Sequence, residues 1–179
     1  MITTKRLFLR KNQKEDIEPF ADMYANPIVT RYLGDGSVYD REDTIAKRTE
    51  ALGQPSPVWE SGFGVFSVLD KETNQYLGYC GIRKIPDGRV ELLYGYDVPA
   101  WGKGYATEAA RAVLTYGKKY FAFGEENGTK IIAMSYSENT GSLSVIEKVG
   151  FKSIGKEEHF GKMLDVFEMD IMDWEADEN

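Results

Sequence analysis

The run Trp101-Gly102-Lys103-Gly104-Tyr105-Ala106-Thr107-Glu108 has the residue types to hold an anion. Strand-like residues precede it, and an apolar stripe at helical spacing follows, so it reads as a loop opening into a helix. A helix leaves its first backbone N–H groups without partners, and its dipole is positive at that end. Small residues keep those donors uncovered. Gly102 and Gly104 permit positive φ and let a phosphate approach the backbone. Lys103 can add a salt-sensitive contact. A strand-to-helix turn that uses glycine only for tightness explains the same residues, and both readings stay open at this point. Two common phosphate loops are excluded. No Gly-Lys-Ser/Thr follows four residues after a glycine, as a Walker loop requires. Gly102-x-Gly104 is followed by Thr107 where a dinucleotide fingerprint has a third Gly or Ala, and the N-terminal part lacks the βαβ pattern.

Other reactive side chains are few. Cys80 is the only cysteine and His159 the only histidine, which excludes an intrachain disulfide and argues against a zinc site of nitrogen and sulfur ligands. Cys80 sits mid-strand and reads as a small core residue rather than a nucleophile. His159 falls on the last hairpin, either meeting substrate or simply at the surface. Glu108 opens a helix, where dipole compensation explains it without catalysis. The net charge is −7, and seven of the 29 acids fall in 165–179, which has no Lys or Arg. The other 22 acids balance the 22 basic residues of the rest. This leaves no basic stripe for nucleic acid, so no nucleic-acid partner is expected. The acidic end reads as a solvated tail at about 172–179, with attraction of a cationic substrate as the alternative. No apolar run approaches the ~20 residues of a membrane helix, and no signal-peptide pattern opens the chain. A lone cysteine without an export signal points to the cytoplasm and to no membrane partner.

The elements that must position these residues follow from periodicity. Arg6–Arg10 alternates as a strand. Asp16 predicts a helix start, with Ile17, Phe20, Ala21 and Tyr24 on one face and Pro19 in the first turn. Asp40 starts a second helix that runs to about Leu52 and stops at Gly53. Phe63–Leu69, Gln75–Ile85 and Arg89–Tyr96 are strands divided by short turns, hence antiparallel neighbours. A long helix then carries Ala106, Ala109, Ala110, Val113, Leu114, Gly117, Tyr120 and Phe121 on one stripe. Lys130–Tyr136 is a strand. Asn139 or Thr140 caps a helix to Val149 that stops at Gly150, and Phe151–His159 and Met163–Ile171 are closing strands. The order β-α-α-β-β-β-α-β-α-β-β predicts an α/β mixed sheet covered by helices. The passage from Arg89 to Tyr136 needs a crossover, which makes that strand pair parallel. There is no repeat or linker, so one domain over 1–179 is expected.

The run Glu91-Leu-Leu-Tyr-Gly-Tyr-Asp-Val-Pro-Ala-Trp-Gly-Lys-Gly-Tyr-Ala-Thr-Glu-Ala109 resembles the acyl-CoA signature of the GNAT acetyltransferases. It is most similar to their RimJ/RimL-type branch, which acetylates N-terminal amines of ribosomal proteins and related acceptors. The family signature is Arg/Gln-x-x-Gly-x-Gly/Ala, and here it reads Trp101-Gly102-Lys103-Gly104-Tyr105-Ala106. Trp101 replaces the Arg or Gln, a departure common in this branch that removes one side-chain contact. Thr4-Lys-Arg-Leu-Phe-Leu-Arg10 resembles the branch's first strand. Asn139-Thr-Gly-Ser142 with Glu147-Lys-Val-Gly-Phe151 resembles its second signature. The three stand in one register over nearly the whole chain.

The resemblance implies a mostly antiparallel sheet with one splayed parallel pair and helices on both faces. It implies acetyl-CoA as cosubstrate, no metal, and direct attack by a primary amine in a ternary complex. The acceptor would be a protein N-terminus or a small-molecule amine. Pantetheine would bond the backbone of Tyr96, Asp97 and Val98, with Asn139 holding its arm. The pyrophosphate would lie beside Trp101 on the N–H groups of Gly102, Lys103, Gly104, Tyr105, Ala106 and Thr107. Glu91 would be the base, directly or through a water, although a cross-strand pair with Arg83 or Lys84 also explains it. A backbone N–H near Gly95–Tyr96 would stabilise the oxyanion. The tyrosine acid of many relatives is replaced here by Ile146. Ser142 resembles the serine proposed for that role in the branch, and helix-end hydrogen bonding explains it equally. Tyr94 and Tyr96 are spare candidates or aromatic lining. The acceptor pocket would use 26–54 and 159–162. A silent acyl-CoA-binding or regulatory domain is the alternative function. Oligomeric state is not legible, and a homodimer stays open.

Overall fold

The computed structural model describes residues 1–176. Eight strands join in one sheet: β1 (Ile2–Thr3), β2 (Leu7–Arg10), β3 (Gly64–Asp70), β4 (Tyr76–Lys84), β5 (Val90–Tyr96), β6 (Lys130–Ser135), β7 (Lys152–His159) and β8 (Lys162–Asp170). Their spatial order is β1-β2-β3-β4-β5-β6-β8-β7. Every neighbouring pair is antiparallel except β5 and β6. The closing hairpin folds back so that β8, not β7, lies against β6. Composition explains the choice. β8 buries Leu164, Val166 and Phe167, whereas β7 is almost wholly exposed and carries Lys152, Lys156, Glu157 and Glu158. A charged strand is tolerated at an edge, not in the middle.

Among the described residues six α-helices flank the sheet: α1 (Ile17–Tyr24), α2 (Pro27–Thr30), α3 (Arg41–Leu52), α4 (Pro57–Glu60), α5 (Tyr105–Tyr120) and α6 (Thr140–Val149). On one face α5 buries Ala109, Ala110, Val113 and Leu114 against Leu7, Leu9, Cys80, Ile82 and Leu92. On the other, Phe20, Met23 and Val29 close over Tyr79. Strand alternation places Tyr79 and Cys80 on opposite faces. Cys80 is fully buried, which pushes its thiol up and fits the core reading. Asp40 caps α3 by accepting from Asp43 N at 2.8 Å. The four-residue helices α2 and α4 each begin with a proline and are too short to show a period.

Two expectations need correction. Asp16 does not cap α1 with its side chain. Its carboxylate instead takes both Nη groups of Arg10, at 2.6 and 2.9 Å, and the buried Ser67 hydroxyl at 2.7 Å. It also accepts the Gln13 N–H at 2.8 Å, which closes the 3-10 turn Lys14–Asp16 ahead of α1, so these partners occupy the carboxylate. The acidic end also begins later than composition suggests. Trp174 is 7% exposed and donates its indole N–H to Thr115. Lys118 Nζ donates to the carbonyls of Met172 and Trp174. Asp177 and Glu178 lie outside the described residues. No helix among the described residues is long and apolar enough to cross a membrane.

Candidate active site

β5 and β6 pair only at Val90–Ile131 and Glu91–Ile132. Both strands continue, to Tyr96 and Ser135, without further pairing. Parallel strands that separate after two residues leave a wedge between them, and Glu91 stands at its apex. Register decides which backbone groups face it. Ile85 N–H donates to Arg89 O and Asp97 N–H to Leu77 O. Bonded positions alternate in an antiparallel ladder, so Glu91, Leu93 and Gly95 bond toward β4 while Leu92, Tyr94 and Tyr96 turn toward β6. Tyr94 and Tyr96 have no paired β6 residue, so they form an open strand edge. Asp97 and Val98 do not extend it. Asp97 O accepts from Ala100 N, Val98 N donates to the Asp97 carboxylate at 2.8 Å, and Val98 O accepts from Trp101 N. A 3-10 turn at Val98–Ala100 consumes these groups. The open edge therefore lies at Tyr94–Tyr96, two residues before the expected Tyr96–Val98. One oxygen on it is already taken: Trp101 Nε1 donates to Tyr96 O at 2.8 Å, tying the loop to the end of β5.

The loop then turns through Gly102 (φ 73°) and Gly104 (φ 78°), and Gly104 caps α5 in the left-handed region. Glu108 is the first residue whose N–H reaches back to a carbonyl, at Gly104 O, 3.1 Å. The N–H groups of Gly102, Lys103, Gly104, Tyr105, Ala106 and Thr107 have no acceptor among the described residues. A Cβ on Gly102 would meet nothing within 4 Å, so packing does not explain this glycine. Wedge and loop line one cavity of about 1020 Å³ that also reaches Glu91, Asn139 and Ser142. These unsatisfied donors run into a helix N-terminus, and all of their residues except Lys103 line the cavity, an arrangement that suits a pyrophosphate.

Glu91 fits both of its sequence readings. It stands opposite Arg83 across β4 and β5, and its Oε2 accepts from Arg83 Nε at 2.8 Å. It also lines the cavity at 7% exposure. Burial pushes its carboxyl above the ordinary range, and the Arg83 charge and hydrogen bond only partly offset this. A raised carboxyl at the apex of an apolar wedge is suited to taking a proton.

The acetyltransferase (GNAT) domain profile matches residues 6–152 of this sequence. The chain belongs to the GNAT acetyltransferase family. An uncharacterised N-acetyltransferase, p20 of Bacillus licheniformis, is 28% identical over 176 residues, covering 94% of each chain. The crystal structure of a GNAT-family acetyltransferase from Bacillus anthracis superposes with a TM-score of 0.75 at 26% identity, covering 96% of this chain and 99% of that one. RimL, a ribosomal L7/L12 α-N-protein acetyltransferase solved with coenzyme A, shares the fold at a TM-score of 0.71 and 14% identity, covering 93% and 94%. This acetyltransferase is therefore an acyl-CoA-dependent enzyme acting on nitrogen, with the family's mixed sheet.

In this acetyltransferase the start of α6 closes the far side of the wedge. Asn139 caps it, Oδ1 accepting from Ser142 N at 3.1 Å, and its Nδ2 has no partner among the described residues. Tyr94 reaches across from β5: its hydroxyl lies 3.1 Å from Ser142 O and 3.0 Å from Ser142 Oγ. A carbonyl only accepts, so with the Tyr94 proton on Ser142 O, the serine proton points back to Tyr94. Two residues that sequence offered as separate acid candidates form one hydrogen-bonded unit, and burial keeps the Tyr94 phenol protonated. Tyr96, which also lines the cavity, has a buried hydroxyl without a partner among the described residues. Ile146 faces the core. His159 bonds Glu157, which Arg89 grips in turn, and Phe160 rather than His159 lines the cavity. Of the expected acceptor segments, Val29, Tyr32, Leu33, Tyr39, Arg48 and Phe160 line the cavity. Sequence reasoning missed the share of α1 and β4, which supply Phe20, Tyr24 and Tyr79.

It also missed Arg6. From the turn between β1 and β2, Arg6 donates Nη1 to Lys103 O at 2.8 Å and Nε to Glu108 Oε2 at 2.7 Å, and its guanidinium lies 4.7 Å from the Tyr105 ring centroid. Arg6 N–H and the Thr4 hydroxyl bond the other Glu108 oxygen at 2.9 and 2.6 Å. Burial works to raise the Glu108 carboxyl, but these hydrogen bonds outweigh it and hold it below the ordinary range. Glu108 is thus an anchor rather than a dipole counterion alone. The only sequence signal was the Thr4-x-Arg6 pattern. Arg6→Ala is expected to weaken acetyl-CoA binding about tenfold, the loss of one charge-assisted clamp at ~1.5 kcal/mol. The loss should fall on the acetyl-CoA KM, with kcat held and Arg6→Lys restoring part of it. An unchanged KM would make the clamp purely structural.

Proposed function

We propose that this acetyltransferase moves the acetyl group of acetyl-CoA to a primary amine by direct attack in a ternary complex, as a RimJ/RimL-type enzyme acting on a protein N-terminus or a small amine. The observation that carries the reading is the wedge, which joins the unsatisfied N–H row of Gly102–Thr107 to the Glu91 carboxylate through one cavity. The pyrophosphate would lie on that row, with Trp101 and Lys103 beside it. The pantetheine arm would run along the open edge at Tyr94–Tyr96 toward the Asn139 amide. Acetyl-CoA supplies the activated thioester. Glu91 accepts the proton of the incoming ammonium, directly or through a water. The N–H of Tyr94 or Tyr96 stabilises the oxyanion, since Gly95 bonds toward β4. The Ser142–Tyr94 unit returns a proton to the leaving thiolate. One domain carries all of these parts, and the lone buried thiol of Cys80 fits a cytoplasmic setting.

Isothermal titration with acetyl-CoA, desulfo-CoA and NADH tests the cradle. Both CoA compounds should bind with micromolar or tighter Kd, about −8 kcal/mol or better, and NADH should not. Absence of CoA binding would reduce Gly102–Thr107 to a structural turn and remove the reading.

A further inference from the structure

Beyond Glu91 the cavity runs between α1, α3 and β4, and its wall is aromatic. Phe20 stacks on Tyr24 with ring centroids 4.3 Å apart, and the Tyr24 and Tyr79 hydroxyls share a 2.8 Å hydrogen bond. Three charged side chains line this end: Glu91, Arg83 and Arg48. The other two charged residues that line it among the described residues, Glu138 and Lys148, lie on the β6–α6 side, Glu138 just before Asn139 and Lys148 in the last turn of α6.

The two arginines are underused. Arg83 gives only Nε to Glu91, so both of its Nη groups lack partners among the described residues. Arg48 has no carboxylate partner among the described residues. Its guanidinium lies over the Phe20 ring, 3.6 Å from the centroid. A ring face holds the cation in place without using its N–H groups. Phe20, which Arg48 covers, stacks on Tyr24, and Arg83 lines the same cavity, so both charges lie along this aromatic wall.

An amine bound here presents its ammonium to Glu91. A second ammonium farther along the acceptor would meet Arg48 and the outer edge of Arg83, where like charge and desolvation oppose it. A carboxylate or phosphonate would instead meet free guanidinium N–H groups with the planar geometry that suits it. We propose that the acceptor is an amine that also bears an anionic group, which Arg48 and the Nη edge of Arg83 bind while the amine faces Glu91. Polyamines are excluded by the same two charges. This rests on the acetyl-transfer reading above and narrows its acceptor.

The test uses the full chain at saturating acetyl-CoA, after titration has shown that acetyl-CoA binds. The acceptors are free amino acids and aminoalkylphosphonates, the matched amino acid amides, and spermidine. The anionic acceptors should exceed the matched amides at least tenfold in kcat/KM, with spermidine below both. Arg48→Ala should raise the KM for the anionic acceptors about tenfold and erase their advantage over the amides. Arg48→Lys should restore part of it, and Arg48→Glu should turn the preference toward spermidine. Arg48 is an exposed residue although it covers the Phe20 ring, and an unchanged Tm shows that the variants fold. Equal rates for acids and amides, a preference for spermidine, or no transfer to any anionic acceptor would overturn the acceptor class. Failure to bind acetyl-CoA would overturn the underlying reading instead.

Discussion

In Glu91→Gln, turnover at saturating acetyl-CoA and amine falls by about 10²–10⁴-fold, the usual contribution of a general base, while acetyl-CoA affinity stays at the wild-type value. The amide keeps an oxygen for Arg83 Nε, so the cross-strand contact survives and only the proton acceptor is lost. The pH profile supplies a second readout. Burial raises the Glu91 carboxyl above its ordinary value, so wild-type kcat/KM rises with pH through that elevated pKa as the base ionises. The variant lacks this limb. Stability runs the other way. The folded protein holds the Glu91 proton more tightly than the unfolded chain does. This contribution is complete below the unfolded pKa and is lost as pH rises through the folded one. Glutamine cannot ionise, so Tm at neutral pH should stay within about 2–4 °C of wild type, the shift that ~1 kcal/mol produces at this size. Unchanged turnover would leave Glu91 as the partner of Arg83 alone and place the base elsewhere. Acetyl-CoA binding with no turnover in the wild-type protein would instead favour a silent acyl-CoA-binding role.

The second large effect is expected at the cradle. Gly104→Val places a β-branched residue at φ 78°, where an L side chain is strained by about 1–2 kcal/mol and valine is a severe case. The loop relieves that strain by leaving the left-handed region, which turns N–H groups away from the cavity. Acetyl-CoA Kd should rise about a hundredfold, equivalent to ~2.7 kcal/mol, with kcat at saturation affected far less. Gly88→Val is the control. Gly88 also has positive φ (90°), a Cβ there meets nothing within 4 Å, and it sits on the β4–β5 turn, outside the cavity wall. The control should lose stability without losing acetyl-CoA. If Gly88→Val weakens acetyl-CoA as much as Gly104→Val does, the loss reflects general destabilisation and the loop is not the cradle.

Legibility in the sequence followed the range of the physics. Asp40 and Asn139 announce α3 and α6 because capping is settled within three residues. The anion loop was legible for the same reason: unpaired N–H groups and positive φ are properties of a few consecutive residues. The Glu91–Arg83 pair was half legible, because the short turn between β4 and β5 limits their register. Asp16 misled because its carboxylate is taken by a guanidinium six residues earlier, a serine 51 residues later and the N–H of Gln13 behind it, not by the first turn of α1.

Local chemistry by itself determined the longer helices α1, α3, α5 and α6, the strand alternation and the unsatisfied donors of Gly102–Thr107. Tertiary structure decided the rest. The place of β8 beside β6 follows from which arm of the hairpin can be buried. The wedge exists because β5 and β6 separate after two pairs, and no pattern within either strand encodes that distance. The Arg6–Glu108 clamp spans 102 residues, and the Tyr94–Ser142 pair spans 48. Side-chain hydrogen bonds act over about 3 Å, so which distant residues come within that range is set by the packed topology and not by their spacing along the chain.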